Sequence, residues 1–127
     1  MNRKINITTA ILLSLILGLN QAIAQSAEEL LPKGIQLEEV KGELEQAIEV
    51  YQTIVNDYPE NRPVAAKAYF HMGLCYEKLG KEEAKKVYTH LIRDYSDQGE
   101  MVTEAKARLA ALYPPTATNA KKEMTVR

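Results

Sequence analysis

The 127-residue chain has little of the chemistry from which most active sites are built. It contains no tryptophan, one cysteine and two histidines. One cysteine excludes an intramolecular disulfide framework and a cysteine-rich zinc site, and two histidines leave few ligands for any other metal. Lys and Arg total 16 against 17 Asp and Glu, and this balance argues against a protein that binds nucleic acid through many phosphate contacts. Composition therefore favours a small non-catalytic module with no cofactor and no nucleic-acid partner.

The first 24 residues have the three-part pattern of a secretory signal peptide. Arg3 and Lys4 precede an apolar core over Ala10–Leu19, and the small residues Ala22 and Ala24 occupy the positions that signal peptidase recognises. A core of about 10 residues is shorter than the roughly 20 that a spanning helix needs, although an uncleaved anchor is the alternative. We therefore expect residues 1–24 to be removed after Ala24. The mature chain would have no stable membrane span and would be periplasmic or secreted.

The rest of the chain shows the apolar period of helices rather than of strands. Apolar residues recur at intervals of three and four, which gives each helix one buried face. Gly42 and Gly80 stand where a helix can end in the left-handed conformation. Pro59 and Pro63 bracket a loop in which no helix is expected to continue, and Pro32 is expected to interrupt the first helix. The sequence predicts five helices, at about residues 28–40, 43–58, 64–79, 82–95 and 101–113.

Two segments of the chain are similar in sequence. Residues 47–58 and 84–95 share Ala, Val, Tyr, Asp and Tyr at an offset of 37 residues, and a second similarity relates residues 66–68 to residues 105–107 at an offset of 39. Both pairs of segments lie on predicted helices. Self-similarity at such a period is typical of stacked arrays of helix pairs.

These helix pairs resemble the tetratricopeptide repeat. In the second unit Tyr69, Gly73, Ala84 and Tyr88 match its aromatic and small positions, whereas in the first unit Ile35 stands at the small position. The resemblance implies an all-α fold, a short α-solenoid of about two units and a capping helix. It covers residues 28–113 within a predicted helical domain at residues 25–113, and residues 114–127 are expected to be a polar tail or linker.

The same resemblance implies a binding groove. In this motif the second, fifth and ninth positions of the first helix face an inner groove, which in the second unit gives Lys67, Phe70 and Leu74. Aligning the two Ala-Lys-Ala segments adds Lys106, Leu109 and Tyr113 as the corresponding rows. A basic edge beside an apolar strip would suit a peptide with an acidic group and one or two apolar anchors. The alternative is that Phe70 and Leu74 only pack against neighbouring helices.

Candidate catalytic groups are few. His71 and Cys75 are four residues apart, so they share a helix face. They could form a thiolate–imidazole pair, but no third group is placed by spacing; Cys75 is expected to be a buried packing residue and His71 to bond a backbone group. His90 is expected to be solvated. The acidic residues of the first unit are expected to form a solvated face; they are Glu38, Glu39, Glu43, Glu45 and Glu49. We therefore predict that the chain is not an enzyme.

Two functions fit these features. Tetratricopeptide arrays bind proteins, so the first is an exported protein–protein interaction module. Residues 37–47 and 73–80 are also similar to the N-terminal repeat segment of exported bacterial envelope proteins in which a TolB-like β-propeller follows. The alternative is therefore a structural or assembly segment of such a larger protein, of which this chain could be a short or truncated form. The partner itself is not specified by the sequence.

Cleavage of the leader predicts the N-terminus of the exported protein. When the chain is expressed with its leader, the intact mass of the exported form should correspond to a chain that begins at Gln25, because Ala22 and Ala24 define the cut. Membrane-bound protein that retains Met1 would contradict the prediction.

Overall fold

The protein is all-α. The computed structural model describes residues 25–114, so the predicted leader and nearly all of the predicted tail lie outside the described residues. Helix α1 spans Ala27–Ile35 and continues as a π-helical segment, Gln36–Lys41; it is followed by α2 (Leu44–Asp57), α3 (Arg62–Lys78), α4 (Glu83–Asp94) and α5 (Gly99–Leu112). No strand occurs in this part of the chain. The predicted number of helices and the predicted fold class are confirmed.

The helices stack as two antiparallel pairs and one further helix. Helix α1 pairs with α2 and α3 pairs with α4, and each helix packs against the next one along the chain. The first helices of successive units also pack on each other, α1 on α3 and α3 on α5, whereas α2 and α4 are at most marginally in contact. The first helices therefore form one side of the stack, which we call the inner side.

Two prolines lie within helices, whereas Pro59 lies in the predicted loop, which ends at Asn61. Helix α3 begins at Arg62, so Pro63 occupies its first turn, where a backbone N–H would have no helical partner in any case. Pro32 lies inside α1 and costs that helix a backbone hydrogen bond. The helix nevertheless continues, because Leu30 and Leu37 are buried in the core on either side of the proline.

In each of the two units, a glycine on the first helix packs against a tyrosine ring from the second helix. A Cβ built on Gly34 would lie within 3.0 Å of three ring atoms of Tyr51, and a Cβ on Gly73 would meet three ring atoms of Tyr88 equally closely. Both tyrosines are fully buried. Gly34 is therefore the small position of the first unit, and the assignment of Ile35 to that position is wrong.

The π-helical segment accommodates one extra residue in the first unit. Gly42 and Gly80 end the first helices with φ of 70° and 66°, as predicted, but Gly42 follows Gly34 by eight residues whereas Gly80 follows Gly73 by only seven. A π-helical turn holds more residues than an α-helical turn, so it absorbs the insertion without breaking the helix. Both glycine–tyrosine contacts are thereby preserved.

The glycine–tyrosine contact predicts a position-specific loss of stability. Gly73→Ala should lower the free energy of unfolding by about 1–3 kcal/mol, because the added methyl group overlaps the Tyr88 ring. Gly99→Ala is the matched control, since a Cβ at Gly99 meets nothing within 4 Å. Urea unfolding of the two variants measures the difference, and equal midpoints would contradict the packing described here.

Candidate functional site

A buried carboxylate lies where α1, α2 and α3 meet. The side chain of Glu38 is 1% exposed. The Tyr51 hydroxyl donates to its Oε2 at 2.9 Å, and His71 Nδ1 lies 2.9 Å from the same oxygen. Lys78 Nζ donates to Oε1 at 2.8 Å. Both oxygens of the carboxylate are therefore satisfied by side chains from two neighbouring helices.

These hydrogen bonds keep the buried group ionised. Burial alone would raise the pKa of Glu38, but the bonds from His71, Lys78 and Tyr51 lower it to about 2. Burial, followed by the charge of Glu38, raises the pKa of Tyr51 above its ordinary value. At neutral pH the hydroxyl is therefore a donor and the carboxylate an acceptor, so the network is electrostatically matched.

A second carboxylate repeats this arrangement one unit further along. The Tyr88 hydroxyl donates to Glu77 Oε1 at 2.6 Å. Arg108 Nε donates to the same oxygen at 2.9 Å, and the Arg108 guanidinium also contacts Oε2. Glu77 follows Gly73 by four residues, as Glu38 follows Gly34. Glu38 and Glu77 thus each accept a hydrogen bond from a tyrosine of their own unit and another from a basic residue of the next first helix.

This repetition fixes the register between α3 and α5. The residues preceding the two helices, Asn61 and Gln98, donate backbone bonds to the carbonyls of Tyr58 and Tyr95 at 3.1 and 2.9 Å. These pairs are offset by 37 residues, and so are His71 and Arg108. The offset of 39 suggested by the two Ala-Lys-Ala segments is therefore wrong for α5. Arg108 on this helix points to Glu77.

In the observed register the inner side carries an apolar strip. Each first helix contributes two residues at its fifth and ninth positions. We call this set the inner strip; its members are Leu31 and Ile35 on α1, Phe70 and Leu74 on α3, and Ala107 and Ala111 on α5. The four larger residues are half-buried and the two alanines are exposed. Charged residues flank it, with Glu28, Lys67 and Glu104 at one edge and Glu39 and Lys78 at the other.

The structure brings together only part of the predicted groove. Lys67 is exposed, and Phe70 and Leu74 are half-buried on the inner side of α3. Phe70 also packs against the core cluster that contains Tyr88, with ring centroids 6.0 Å apart. Phe70 therefore lies on the inner side and also packs against a neighbouring helix, as the alternative proposed. The binding role of these residues remains a prediction.

The three predicted groove residues on α5 lie in other rows. Leu109 corresponds to the buried Met72 rather than to Phe70, and it packs against the core. The Tyr113 hydroxyl donates to Glu82 at 2.9 Å. Lys106 is exposed and corresponds to Tyr69. The observed register does not pair these residues with Lys67, Phe70 and Leu74, because that pairing depended on the offset of 39; their role in binding stays a prediction.

The candidate catalytic pair is held in a structural role. Cys75 is fully buried, as predicted. Its burial, together with the charge of Glu38, raises the pKa of the thiol to about 12, so the nucleophilic thiolate is suppressed at neutral pH. His71 bonds the Glu38 carboxylate and not a backbone group, which corrects the sequence-based expectation. Within residues 25–114 no three metal-ligating side chains cluster.

Two other polar residues also differ from expectation. Glu38 was assigned to a solvated face, but only its neighbours in the acidic run, Glu39, Glu43, Glu45 and Glu49, are exposed. The Gly-x-x-x-Glu pattern shared by residues 34–38 and 73–77 was visible in the sequence and would have identified both carboxylates. His90 is half-buried, with its ring centroid 4.7 Å from that of Tyr69.

The Glu38 network predicts a specific loss of stability in acid. The folded-state pKa of about 2 lies below the ordinary value of 4.5. The ionised carboxylate therefore stabilises the fold above about pH 4.5, and this contribution of about 3 kcal/mol disappears as the pH falls towards 2. Glu38→Gln should remove it at neutral pH and flatten the acid dependence of unfolding. Glu39→Gln, at the exposed neighbouring residue, should do neither; if the two variants unfold alike in urea from pH 7 to pH 2, the network has no stabilising role.

Comparison with known proteins agrees with this architecture. No helix within residues 25–114 has the length and apolarity to cross a membrane. Neither the curated proteins nor the solved structures include a significant match to this chain. The family model described as Tetratricopeptide repeat matches residues 19–61 and 67–97, which is more than half of the chain. The chain therefore belongs to the tetratricopeptide repeat family.

Proposed function

We propose that this chain is a non-catalytic scaffold that binds a segment of another protein along the inner side of the stack. The observation that carries the proposal is the inner strip, six apolar residues contributed by three adjacent first helices. The three first helices pack on one another along this side, whereas α2 and α4 are at most marginally in contact. Membership of the tetratricopeptide repeat family supports a protein partner.

The dimensions of the inner strip favour a peptide as the bound element. Packed helices lie about 8–10 Å apart, and an extended chain advances about 3.3 Å per residue. A bound strand that crosses α1, α3 and α5 would therefore place one residue in about three over each helix. Half-buried Phe70 and Leu74 can receive apolar side chains, and exposed Lys67 can pair with an acidic one.

The space beside Lys67 supports an acidic group at that edge. A cavity of about 280 Å³ lies between the starts of α3 and α5 and is lined by Lys67 and Met101, among others. Asp97 also lines it, but its carboxylate is bound by the Arg62 guanidinium. That aspartate therefore does not cancel the positive charge of Lys67, and the other carboxylate that lines the cavity, Glu100, is exposed to solvent.

A catalytic role has little chemical support in the described residues. Catalysis by a nucleophile needs a reactive group, a base and a group that orients the base. The one thiol, Cys75, is buried and has a raised pKa, and the nearby His71 is bonded to Glu38. These groups hold the first unit to the second, so we assign them to the fold.

We further propose that the scaffold is exported to the periplasm or the exterior of a bacterial cell. The support is the leader pattern over residues 1–24 and the similarity of residues 37–47 and 73–80 to exported envelope proteins. Among the described residues, helix α1 begins at Ala27, two residues after the proposed new N-terminus at Gln25.

The assembly role is the second candidate, and the exposed face of α5 favours it. The α3 residues that pack under α4 include Ala66, Tyr69 and Gly73, and their counterparts on α5 at an offset of 37 are Thr103, Lys106 and Ala110. These counterparts are exposed. In this alternative a further segment or domain of an envelope protein, such as a β-propeller, would cover the face of α5 rather than the inner strip.

A photo-crosslinking experiment distinguishes the two surfaces. A photoreactive amino acid placed at Leu74 in the full-length exported protein should crosslink a partner in intact cells. Adding Phe70→Ala or Lys67→Glu should abolish that crosslink, because loss of an apolar anchor or of the paired charge weakens binding by about tenfold or more. Mass spectrometry of the crosslinked band identifies the partner.

Two controls separate binding from folding. The same probe at Lys86, which is exposed on α4, should give no such crosslink, and Lys86→Glu should leave the Leu74 crosslink intact. Lys67→Glu should leave the melting temperature nearly unchanged, since surface charge changes rarely exceed about 0.5 kcal/mol. A partner that crosslinks only from Ala110 would favour the assembly role, and a Leu74 crosslink that survives both groove substitutions would exclude the inner strip.

A further inference from the structure

We propose that Gln25 is a modification site, and that it becomes the N-terminal pyroglutamate of the mature protein. The inference depends on the proposed export, because only cleavage after Ala24 makes Gln25 the first residue. An N-terminal glutamine carries its own electrophile, since the side-chain amide carbon lies within reach of the free α-amine through a five-membered ring. No other residue type in the chain offers a primary amide at the same distance from that amine.

The fold leaves Gln25 accessible to solvent. The residue is exposed and precedes the first helix by two positions. Its backbone carbonyl accepts a hydrogen bond from the Tyr58 hydroxyl at 2.6 Å. The next backbone amide, that of Ser26, donates to the Glu29 carboxylate at 3.3 Å. Cyclisation consumes neither of these bonds, because it involves only the α-amine and the side-chain amide of Gln25.

The reaction is a balanced intramolecular acyl transfer. The lone pair of the Gln25 α-nitrogen attacks Cδ, and the new C–N bond closes a lactam ring. The bond between Cδ and the side-chain nitrogen breaks, and that nitrogen leaves as ammonia with a proton from the α-amine. No oxidant, metal or second substrate is needed. Relative to the protonated α-amine, the product has lost one ammonia and one proton, and the proton passes to solvent.

The lactam ring would protect the hydrogen bond that links Gln25 to Tyr58. The Gln25 carbonyl is the acceptor through which the Tyr58 hydroxyl holds the N-terminus against the loop between α2 and α3. Beside it, the Asn61 side-chain amide donates to Glu28. An aminopeptidase that removed Gln25 would remove the Tyr58 acceptor. A lactam has no free α-amine, so general aminopeptidases cannot begin there.

Peptide mass spectrometry of the exported full-length protein tests the proposal. After trypsin digestion the N-terminal peptide, Gln25–Lys33, should be lighter than its sequence mass by one ammonia, and sequential degradation from the N-terminus should fail until a pyroglutamyl peptidase is added. Synthetic Gln25–Lys33 carried through the same digestion should stay largely open, which excludes cyclisation during handling.

The matched control is Gln25→Asn. Asparagine keeps the primary amide, but the corresponding ring would have only four members, so this variant should retain its full mass and an accessible α-amine. A wild-type peptide that begins at Gln25 with its full mass would overturn the cyclisation and leave the export proposal standing. A different first residue, or a retained Met1, would overturn the proposed cleavage and the modification together.

Discussion

A carboxylate on the first helix of each unit, buried at Glu38 and half-buried at Glu77, holds that unit to the next helix of the stack, and the rest of the stack depends on this pairing. An ionised carboxylate is costly to bury unless charged or polar partners surround it. Glu38 and Glu77 each accept from a tyrosine of their own unit and from a basic residue one unit further along. Each pairing is satisfied only when three helices are in register, so the polar network specifies the stacking as well as stabilising it.

The glycine contacts make that pairing possible. The tyrosine hydroxyl reaches the carboxylate because the ring passes over a residue without a side chain, Gly34 in one unit and Gly73 in the other. The glycine and the glutamate are one helical turn apart, so they lie on the same face. The π-helical segment of the first unit keeps this geometry despite one extra residue, which indicates that the contact constrains the fold more strongly than the regularity of the helix does.

The same register decides which side chains form the inner strip. Because the carboxylates set the stagger of α1, α3 and α5, they also determine that the inner strip consists of large apolar residues on two helices and alanines on the third. The larger residues of the strip are half-buried, and Ala107 and Ala111 are exposed.

The sequence by itself determined the number of helices, their ends at Gly42 and Gly80 and the pairing of units, because apolar periodicity and left-handed glycines are local signals. It did not determine the burial of Glu38, whose partners His71 and Lys78 lie 33 and 40 residues away in the chain. The similarity of the two Ala-Lys-Ala segments also suggested the wrong register for α5, because the residues that precede α3 and α5, Asn61 and Gln98, are offset by 37 and not by 39. Only the tertiary structure decided these points, since the cost of burying a charge depends on side chains that folding alone brings together.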